Sequence, residues 1–511
     1  MPGTVLKRIR RVLIANRGEI AVRVIRACRR MEIESVAVYS DVDRSALHVR
    51  MADWAKRLGP PPPGESYLNI GKIIDAARES EADAVHPGYG DFAAAVLDAG
   101  LIWLGPPPEA IAAMGNKVTA RALMRKAGTP VVPGSQGPID DPNAALAEAT
   151  KAKFPILIKA VAGGGGKGMR VVNDSADWLP SVEAAQREAK GAFGDPSVYW
   201  EKYIVKPRHV EIQILADRNA KAISLNEREC SIQRRHQKVI EESPSVAVDA
   251  DLRRRMGAAA VAAAEACGYV SAGTVEFLLD ANGDFYFLEM NTRLQVEHPV
   301  TEWVTGVDLV AEQLRIADRE EWTPPDLSHA PFGHAIEFRV YAEDPQNNFL
   351  PSPGRIATYR EPQGPGVRVD SGVYPGAEIP IYYDPMVAKL IVWGKDRTEA
   401  IARGQSALEE FSIDGVATTI DFHRRVLKHP DFISGDTNTH FIEQHFGQHV
   451  QRPTIDDDTL RAVVMAAALH ARRRAERRAP IRSAPDGGGN GLSTWTADGR
   501  RRAINRWPVW V

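Results

Sequence analysis

Residues 274–299 read TVEFLLDANGDFYFLEMNTRLQVEHP, and the rest of the chain is best understood outward from them. Two runs rich in β-branched and aromatic residues, Thr274–Leu279 and Phe285–Met290, flank Asn282-Gly283, the dipeptide most favoured in a two-residue type I′ turn. A turn on that pair sets Ala281 opposite Asp284 and, counting back, Glu276 opposite Glu289. Carboxylates facing each other across an antiparallel pair repel unless a cation sits between them. Oxygen-only ligands suit Mg²⁺, which keeps waters and takes further oxygens from substrate phosphates. A solvated strand face is the competing reading, but Phe277, Leu279, Phe285 and Phe287 indicate a buried opposite face. Asn291 and Arg293 follow Glu289 by two and four residues, which an extended chain keeps on one side. The run Arg293-Leu294-Gln295-Val296-Glu297-His298-Pro299 then supplies a cation and a carboxylate, as an anionic substrate and its general base require. Taken alone, such a run is more often a surface salt-bridge patch; beside the metal hairpin the two readings weigh evenly.

Upstream, Phe154–Lys159 is strand-like and leads into Gly163-Gly164-Gly165-Gly166-Lys167-Gly168. Glycines let backbone N–H groups close around phosphate oxygens, although such runs are also common as flexible loops. The Lys-Ser/Thr ending of a Walker A loop is missing, and Lys159 at the strand end favours phosphate binding. The polar run Gln233-Arg234-Arg235-His236-Gln237-Lys238 reads as a solvated basic loop, without the aromatic interleaving of a single-strand nucleic-acid binder.

Near the N-terminus, strand-like Arg11–Ala15, helical Glu19–Met31, strand-like Ser35–Tyr39, helical Ile73–Ser80 and strand-like Ala84–His86 alternate, which implies a parallel, Rossmann-like sheet. The first turn, Asn16-Arg17-Gly18-Glu19, lacks the G-x-G-x-x-G fingerprint, so dinucleotide binding is not expected. Beyond residue 330 the pattern is mixed, with strands at Ala335–Val340 and Val387–Trp393 and a helix at Arg397–Phe411. After Val450 the composition changes to a helix-prone Ala/Arg stretch, Leu460–Ala479, a Gly487-Gly488-Gly489 linker and a tail bearing Trp507 and Trp510.

The 511 residues suggest about three domains. A net charge of −2 offers nothing for bulk nucleic-acid binding, and no apolar run approaches a membrane span. Three cysteines without paired spacing, Cys28, Cys230 and Cys267, argue against a disulfide framework or a zinc cluster. A cytoplasmic multidomain enzyme is expected.

Taken in order, these residues resemble the biotin carboxylase family, the ATP-grasp component of biotin-dependent carboxylases, from about Arg8 to about Phe446. The most specific matches are Glu289–Arg293 through Glu297–Glu302, and Arg234–Lys238. Others are Ile14–Glu19, His86–Gly90, Gly333–Glu337, Ala342–Pro345 and Tyr382-Tyr383-Asp384-Pro385-Met386. The resemblance implies an α/β and α+β chain. It would have a Rossmann-like N-terminal domain (1–116), an ATP-grasp domain with a mobile glycine-rich lid (117–330), a mixed α+β C-terminal domain (331–447) and an extension of unknown role (448–511).

The resemblance also implies a reaction in which MgATP (or MnATP), bicarbonate and biotin give carboxybiotin, ADP and phosphate. By similarity, Lys117 and Lys159 hold ATP phosphates under the Gly163–Gly168 lid, and Glu201, Lys202 and Ile204 frame the adenine. His209, Gln233 and His236 line the nucleotide pocket, and Glu276, Glu289 and Asn291 hold the metal. Lys238, Arg293, Gln295 and Val296 bind bicarbonate, Glu297 takes its proton, Arg339 stabilises the biotin enolate and Tyr89 borders the biotin pocket. No Met-Lys-Met biotinylation sequence occurs, so biotin is expected on a separate carrier protein, with a separate carboxyltransferase subunit and a homodimeric carboxylase. The acyl acceptor is not written in this chain.

One departure stands out. After Gly90 the family continues with a Phe-Leu-Ser-Glu-Asn type segment, whereas Asp91-Phe92-Ala93-Ala94 follows here at once. Asp91 is placed to cap the next helix, so the fold should survive while the biotin-side rim changes. The competing functions are a catalytically impaired assembly or regulatory subunit and a different ATP-grasp ligase. The second has no use for Arg234–Lys238 or Arg293–Glu302.

Overall fold

The computed structural model describes residues 9–87, 92–162, 169–318, 322–447 and 456–478. They belong to two compact units, residues up to Val450 and residues from Gln451 on, the second containing helix Asp457–Arg478. Among the described residues no helix is long and apolar enough to cross a membrane.

The N-terminal strands form a parallel sheet in the order Trp54–Gly59, Glu34–Ser40, Arg11–Ile14, Ala84–His86, Ile102–Trp103. The edge strand Trp54–Gly59 escapes the sequence reading because Trp54, Lys56 and Arg57 make it too polar to tell from a loop. Helix Gly18–Arg30 starts where a Rossmann fold would receive a pyrophosphate. The backbone of Gly372 takes that place: a Cβ there would lie 2.6 Å from the Glu19 nitrogen and 2.8 Å from the Gly18 carbonyl carbon. Arg17 reaches away from the turn to Asp43 at 2.7 Å and stacks 4.3 Å over the Tyr383 ring. Two motifs far apart in sequence therefore brace each other.

Helix Ala93–Asp98 buries Ala93 and Val96, and Phe92 packs edge-on against Trp103 at 5.2 Å. Asp91, the expected cap, and Tyr89 lie outside the described residues.

The dominant feature is an antiparallel sheet in the order Phe285–Asn291, Ser271–Leu279, Arg208–Ala216, Ala222–Arg234, Gln237–Ser243, His334–Tyr341, Met386–Gly394, Val367–Ser371. It runs without interruption across residue 330. At one end, Val210, Ile212, Val275 and Phe277 pack against Met256 and Ala260 of helix Ala250–Ala266. At the other, Phe338, Leu390, Phe422 and Phe441 share a core. A smaller sheet of Arg170–Val172, Ile156–Ala160 and Val198–Lys202 is backed by helix Trp178–Phe193. The Gly163–Gly168 loop, between its first two strands in sequence, lies outside the described residues.

The hairpin at Asn282-Gly283 differs from the expected two-residue turn. Asp280 N–H donates to Asp284 O, so the loop holds Ala281, Asn282 and Gly283, and of these only Gly283 has positive φ, at 82°. The Asp280 carboxylate accepts from the Asn282 and Asp284 amides, which stabilises this wider loop. The ladder then pairs Phe277 with Phe287 but Glu276 with Glu289, leaving Leu288 as a bulge. The bulge matters because Glu289 shares strand parity with Phe285 and Phe287. Without it, the carboxylate would point into the apolar core. The two-residue turn occurs elsewhere: Arg234 pairs with Gln237 around Arg235 and His236, whose φ values are 51° and 66°. The basic run expected to be a solvated loop is therefore a hairpin tip, with non-glycine residues held in a left-handed conformation that costs about 1–3 kcal/mol each.

Candidate active site

Register across the large sheet aligns four charged residues in one row: Glu289 opposite Glu276, Glu276 opposite Glu211, and Glu211 opposite Arg228. Three adjacent carboxylates are tolerable only with cations among them. Arg228, fully buried, donates to Glu211 Oε1 at 2.5 Å, Gln213 Oε1 at 2.6 Å, Thr301 Oγ1 at 2.9 Å and Thr274 Oγ1 at 3.0 Å. Lys238 Nζ donates to Glu211, Glu276 and Glu297, each at 2.6 Å. Burial opposes its charge, but three carboxylates raise its pKa well above the usual lysine range.

Glu276 is the meeting point. It accepts from Lys238, from Asn291 Nδ2 at 2.8 Å and from Gln295 Nε2 at 3.4 Å, and its other oxygen lies 3.1 Å from His209 Nε2. Despite burial, Lys238 and His209 hold its carboxyl below the ordinary range. Glu289, more open to solvent, is pushed upward by desolvation in the cleft and by the Glu276 charge. A divalent cation between the two would relieve that repulsion, and the donors Glu276, Glu289 and Asn291 are all oxygen-bearing, so the residues fit Mg²⁺. The expected same-face extension stops short: the strand ends at Asn291, and Arg293 lies beyond it, donating to Leu294 O at 3.3 Å and Gln295 Oε1 at 3.2 Å.

Glu297, fully buried, lies between two cations, with Lys238 at 2.6 Å and Arg339 NH2 at 3.0 Å. Burial is outweighed by Lys238 and Arg339, which hold its carboxyl well below the usual range. Arg339 is itself anchored by Glu241 Oε1 at 2.5 Å. The Val296 carbonyl accepts from fully buried Lys389 at 2.7 Å, and the same ammonium lies 3.3 Å from Glu19. The first turn of the N-terminal sheet thereby supports the site.

A second cluster lines the facing side. Lys159, on the small sheet, pairs with Glu201 at 2.5 Å, and Glu201 also pairs with Arg121. Burial, Lys117 and Arg121 pull the Lys159 ammonium downward. The contact with Glu201 at 2.5 Å acts the other way. Lys117 opens helix Lys117–Lys126, with a pKa lowered by burial and supported by Glu289. The Glu201 carboxylate is thus committed to cations, and the Lys202 ammonium to the Lys153 and Phe154 carbonyls, at 2.6 and 3.2 Å. Ile204 is partly buried in the chain that follows. Gln233 is buried and donates to His209 Nδ1 at 2.9 Å, whereas His236 is exposed at the hairpin tip.

Most expected site residues are therefore brought to one cleft, while Tyr89 and Gly163, Gly164, Gly165, Gly166, Lys167 and Gly168 lie outside the described residues. Sequence reasoning missed Glu211, Arg228, Arg121 and Glu241. Glu211 had a signal: His209, Glu211 and Gln213 alternate with Val210, Ile212 and Ile214, which marks one polar face on an otherwise buried strand.

Three stretches of the chain match known families: residues 8–111 the biotin carboxylase N-terminal domain, 116–323 the carbamoyl-phosphate synthase L chain ATP-binding domain, and 337–444 the biotin carboxylase C-terminal domain. A biotin carboxylase of Nostoc sp. is 53% identical over 440 residues, 85% of this chain and 98% of that one. The mitochondrial propionyl-CoA carboxylase alpha chain of Sus scrofa is 48% identical over 478 residues, 91% of this chain and 66% of that one. Among solved structures, the biotin carboxylase domain dimer of Hydrogenobacter thermophilus 2-oxoglutarate carboxylase, with MgADP, ADP and bicarbonate, has a TM-score of 0.81 and 44% identity. The match covers 86% of this chain and 98% of that structure.

Proposed function

The chain belongs to the biotin carboxylase family, and from that premise we propose how its residues divide the reaction. It is an ATP-grasp ligase that carboxylates biotin with bicarbonate as ATP is converted to ADP and phosphate. The observation that carries the assignment of roles is Glu297 clamped between Lys238 and Arg339.

Lys117 and Lys159 bind ATP phosphates, with the Gly163–Gly168 segment as the lid, and Glu201, Lys202, Ile204, His209, Gln233 and His236 surround the nucleotide. Glu276, Glu289 and Asn291 would hold Mg²⁺, which when bound neutralises phosphate charge. Bicarbonate binds to Arg293, Gln295, the Val296 backbone and Lys238. On arrival it takes over Lys238 from Glu297, which frees that carboxylate to accept the bicarbonate proton. Its pKa rises as the ammonium is shared, which makes it a stronger base only once substrate is present. Arg339 then donates to the biotin ureido oxygen as negative charge develops there, and Tyr89 borders that pocket. Fixed donors of this kind are typically worth about 10²–10³ in rate.

The division at residues 116/117 and 330/331 belongs to the same reading, as do a cytoplasmic setting and a homodimer, the latter supported by the dimeric relative. Biotin arrives on a separate carrier protein, and the carboxyl group passes to a carboxyltransferase subunit. The test is ADP release by the purified chain, with and without bicarbonate and with high free biotin. Turnover that needs bicarbonate and rises with biotin is expected. ADP release that needs neither, or MgATP binding without turnover, would point to another ligase or a disabled subunit.

A further inference from the structure

Near the end of the first unit, His429-Pro430-Asp431 opens helix Pro430–Ser434, and His445 lies in helix Phe441–Phe446. Neither histidine nor Asp431 has a part in the mechanism above. Proline at the start of the helix fixes the turn, and the His429 ring folds back over it, with Nδ1 accepting the Asp431 N–H at 3.3 Å. That hydrogen bond places a lone pair, not a proton, on Nδ1. The Asp431 carboxylate stands beside both imidazoles, its Oδ2 lying 4.0 Å from His429 Nδ1 and 3.2 Å from His445 Nε2. One ligand atom from each of the three residues lies within 4.8 Å of the other two.

The rings are held from behind. His445 follows Phe441 by four residues, so both stand on one face of their helix. Phe441, fully buried, meets the His429 ring edge-on at 5.3 Å and the His445 ring at 4.9 Å, and the two imidazole centroids are 4.2 Å apart. His445 is exposed, and His429 and Asp431 are partly buried, which leaves a path for an ion and room for a water. Two imidazoles this close repel when both are protonated, whereas both can give lone pairs to one metal. Two imidazole nitrogens and a carboxylate oxygen suit Zn²⁺, which takes such ligands at about 2.0–2.2 Å in a tetrahedron, often with water as the fourth. Neighbouring ligands of that ion lie about 3.3 Å apart, so the contact at 3.2 Å already has the spacing. The wider contact closes by rotation of partly exposed side chains, at the cost of one long hydrogen bond. Mg²⁺ prefers oxygen, so this donor set differs in kind from Glu276, Glu289 and Asn291.

We propose that His429, Asp431 and His445 form a Zn²⁺ site that clips helix Pro430–Ser434 to helix Phe441–Phe446. The turn between these helices braces strand Arg208–Ala216: Arg208 donates to Gly435 O at 2.6 Å and Thr437 Oγ1 at 3.2 Å, and Thr439 N–H donates to Pro207 O at 3.0 Å. Because that strand carries His209 and Glu211, the ion steadies one wall of the cleft. The proposal does not depend on the catalytic roles assigned above.

The test uses the full chain, stripped of metal and returned to excess Mg²⁺. Zn²⁺ binding is measured by competition with a chromogenic chelator, and thermal unfolding is followed in the same samples. Wild type is expected to take up about one equivalent of Zn²⁺ and to unfold about 2 °C or more higher with it. Asp431→Asn, His445→Ala and His429→Asn, the last keeping a cap acceptor, should each weaken binding by about tenfold or more and abolish the shift. ADP release without Zn²⁺ should stay at the wild-type level in all three, which controls for folding; a variant that fails this control leaves the other two to decide. No Zn²⁺ uptake by wild type would overturn the proposal. So would uptake that any folded variant leaves intact, because the ion would then be held elsewhere.

Discussion

Lys238 donates to Glu297 at 2.6 Å with the same ammonium that holds Glu276 at 2.6 Å, so the proposed base and the proposed metal carboxylate share one cation. All three N–H donors of this ammonium are in use, the third on Glu211 at 2.6 Å, so in the proposed mechanism bicarbonate reaches Lys238 only by displacing one of these carboxylates, Glu297. The proposed binding of substrate and activation of the base would then pass through a single side chain.

Lys238→Gln should lower bicarbonate-dependent ADP release by about 10²–10³-fold, as loss of a fixed donor does, with ATP affinity nearly intact. Steady-state kinetics at saturating bicarbonate, with nucleotide binding measured separately, will check this. A parallel loss of ATP affinity would mean that Lys238 contacts phosphate. Because the substitution also frees Glu276 from a competing cation, the Mg²⁺ concentration needed for half-maximal nucleotide binding should fall.

Arg339→Ala should impair biotin carboxylation by about 3–4 kcal/mol of transition-state stabilisation while leaving nucleotide binding close to wild type. Glu241→Gln should follow in weaker form, since Glu241 anchors the Arg339 Nε at 2.5 Å. Comparing biotin-stimulated with biotin-independent ADP release separates the roles. If both activities fall together, Arg339 serves the fold or the nucleotide rather than biotin.

Glu337 is fully buried directly opposite Glu241, and neither of its oxygens has a hydrogen-bond partner among the described residues. Burial first, then the Glu241 charge, pushes its carboxyl well above the ordinary range against the pull of Lys389. A raised folded pKa means that folding takes up a proton. This contribution to stability is full below about pH 4.5 and is lost as pH rises toward the folded value, by up to about 1.4 kcal/mol per pH unit. Glu337→Gln, which mimics the protonated acid, should flatten that slope and match or exceed wild-type stability at neutral pH. Denaturant midpoints from pH 5 to pH 8 will test it; an unchanged slope would mean that Glu337 is ionised.

Glu242 behaves in the opposite sense. Although burial pushes it up, His334 at 2.7 Å and Arg397 at 2.7 Å pull it down to about 2. A depressed carboxyl stabilises the fold above its unfolded pKa, and that stability is lost as pH falls from about 4.5 through about 2. Glu242→Gln should cost on the order of 3 kcal/mol at neutral pH, and the loss relative to wild type should vanish at low pH. Thermal unfolding of both proteins between pH 3 and pH 7 distinguishes this from a uniform loss of packing.

Much of this architecture was legible along the chain. Alternating strands and helices specified the parallel N-terminal sheet, and the aromatic strand pair around residue 282 specified the hairpin that carries Glu276 and Glu289. The facing of Glu276 and Glu289 was foreseen on a turn one residue too short, and the Leu288 bulge restores the pairing. Bulges leave little trace in sequence because one extra residue changes neither composition nor period over so few positions. Glu211 was legible as part of a polar face, but its role was not, because its partners come from three other strands.

By itself, then, the sequence determined the local elements, the polar faces of the strands and the inventory of charges. These follow from backbone periodicity and side-chain type, which act over a few residues. Tertiary structure alone decided which carboxylate each cation holds. Lys238, Arg228 and Arg339 could satisfy many acids, and in a buried site the choice is made by strand register and by how few partners lie within hydrogen-bond reach. It also decided that Gly372, brought from more than three hundred residues away, fills the place at Gly18 where a nucleotide would otherwise approach. Contacts of that range depend on how the chain closes, which no local pattern encodes.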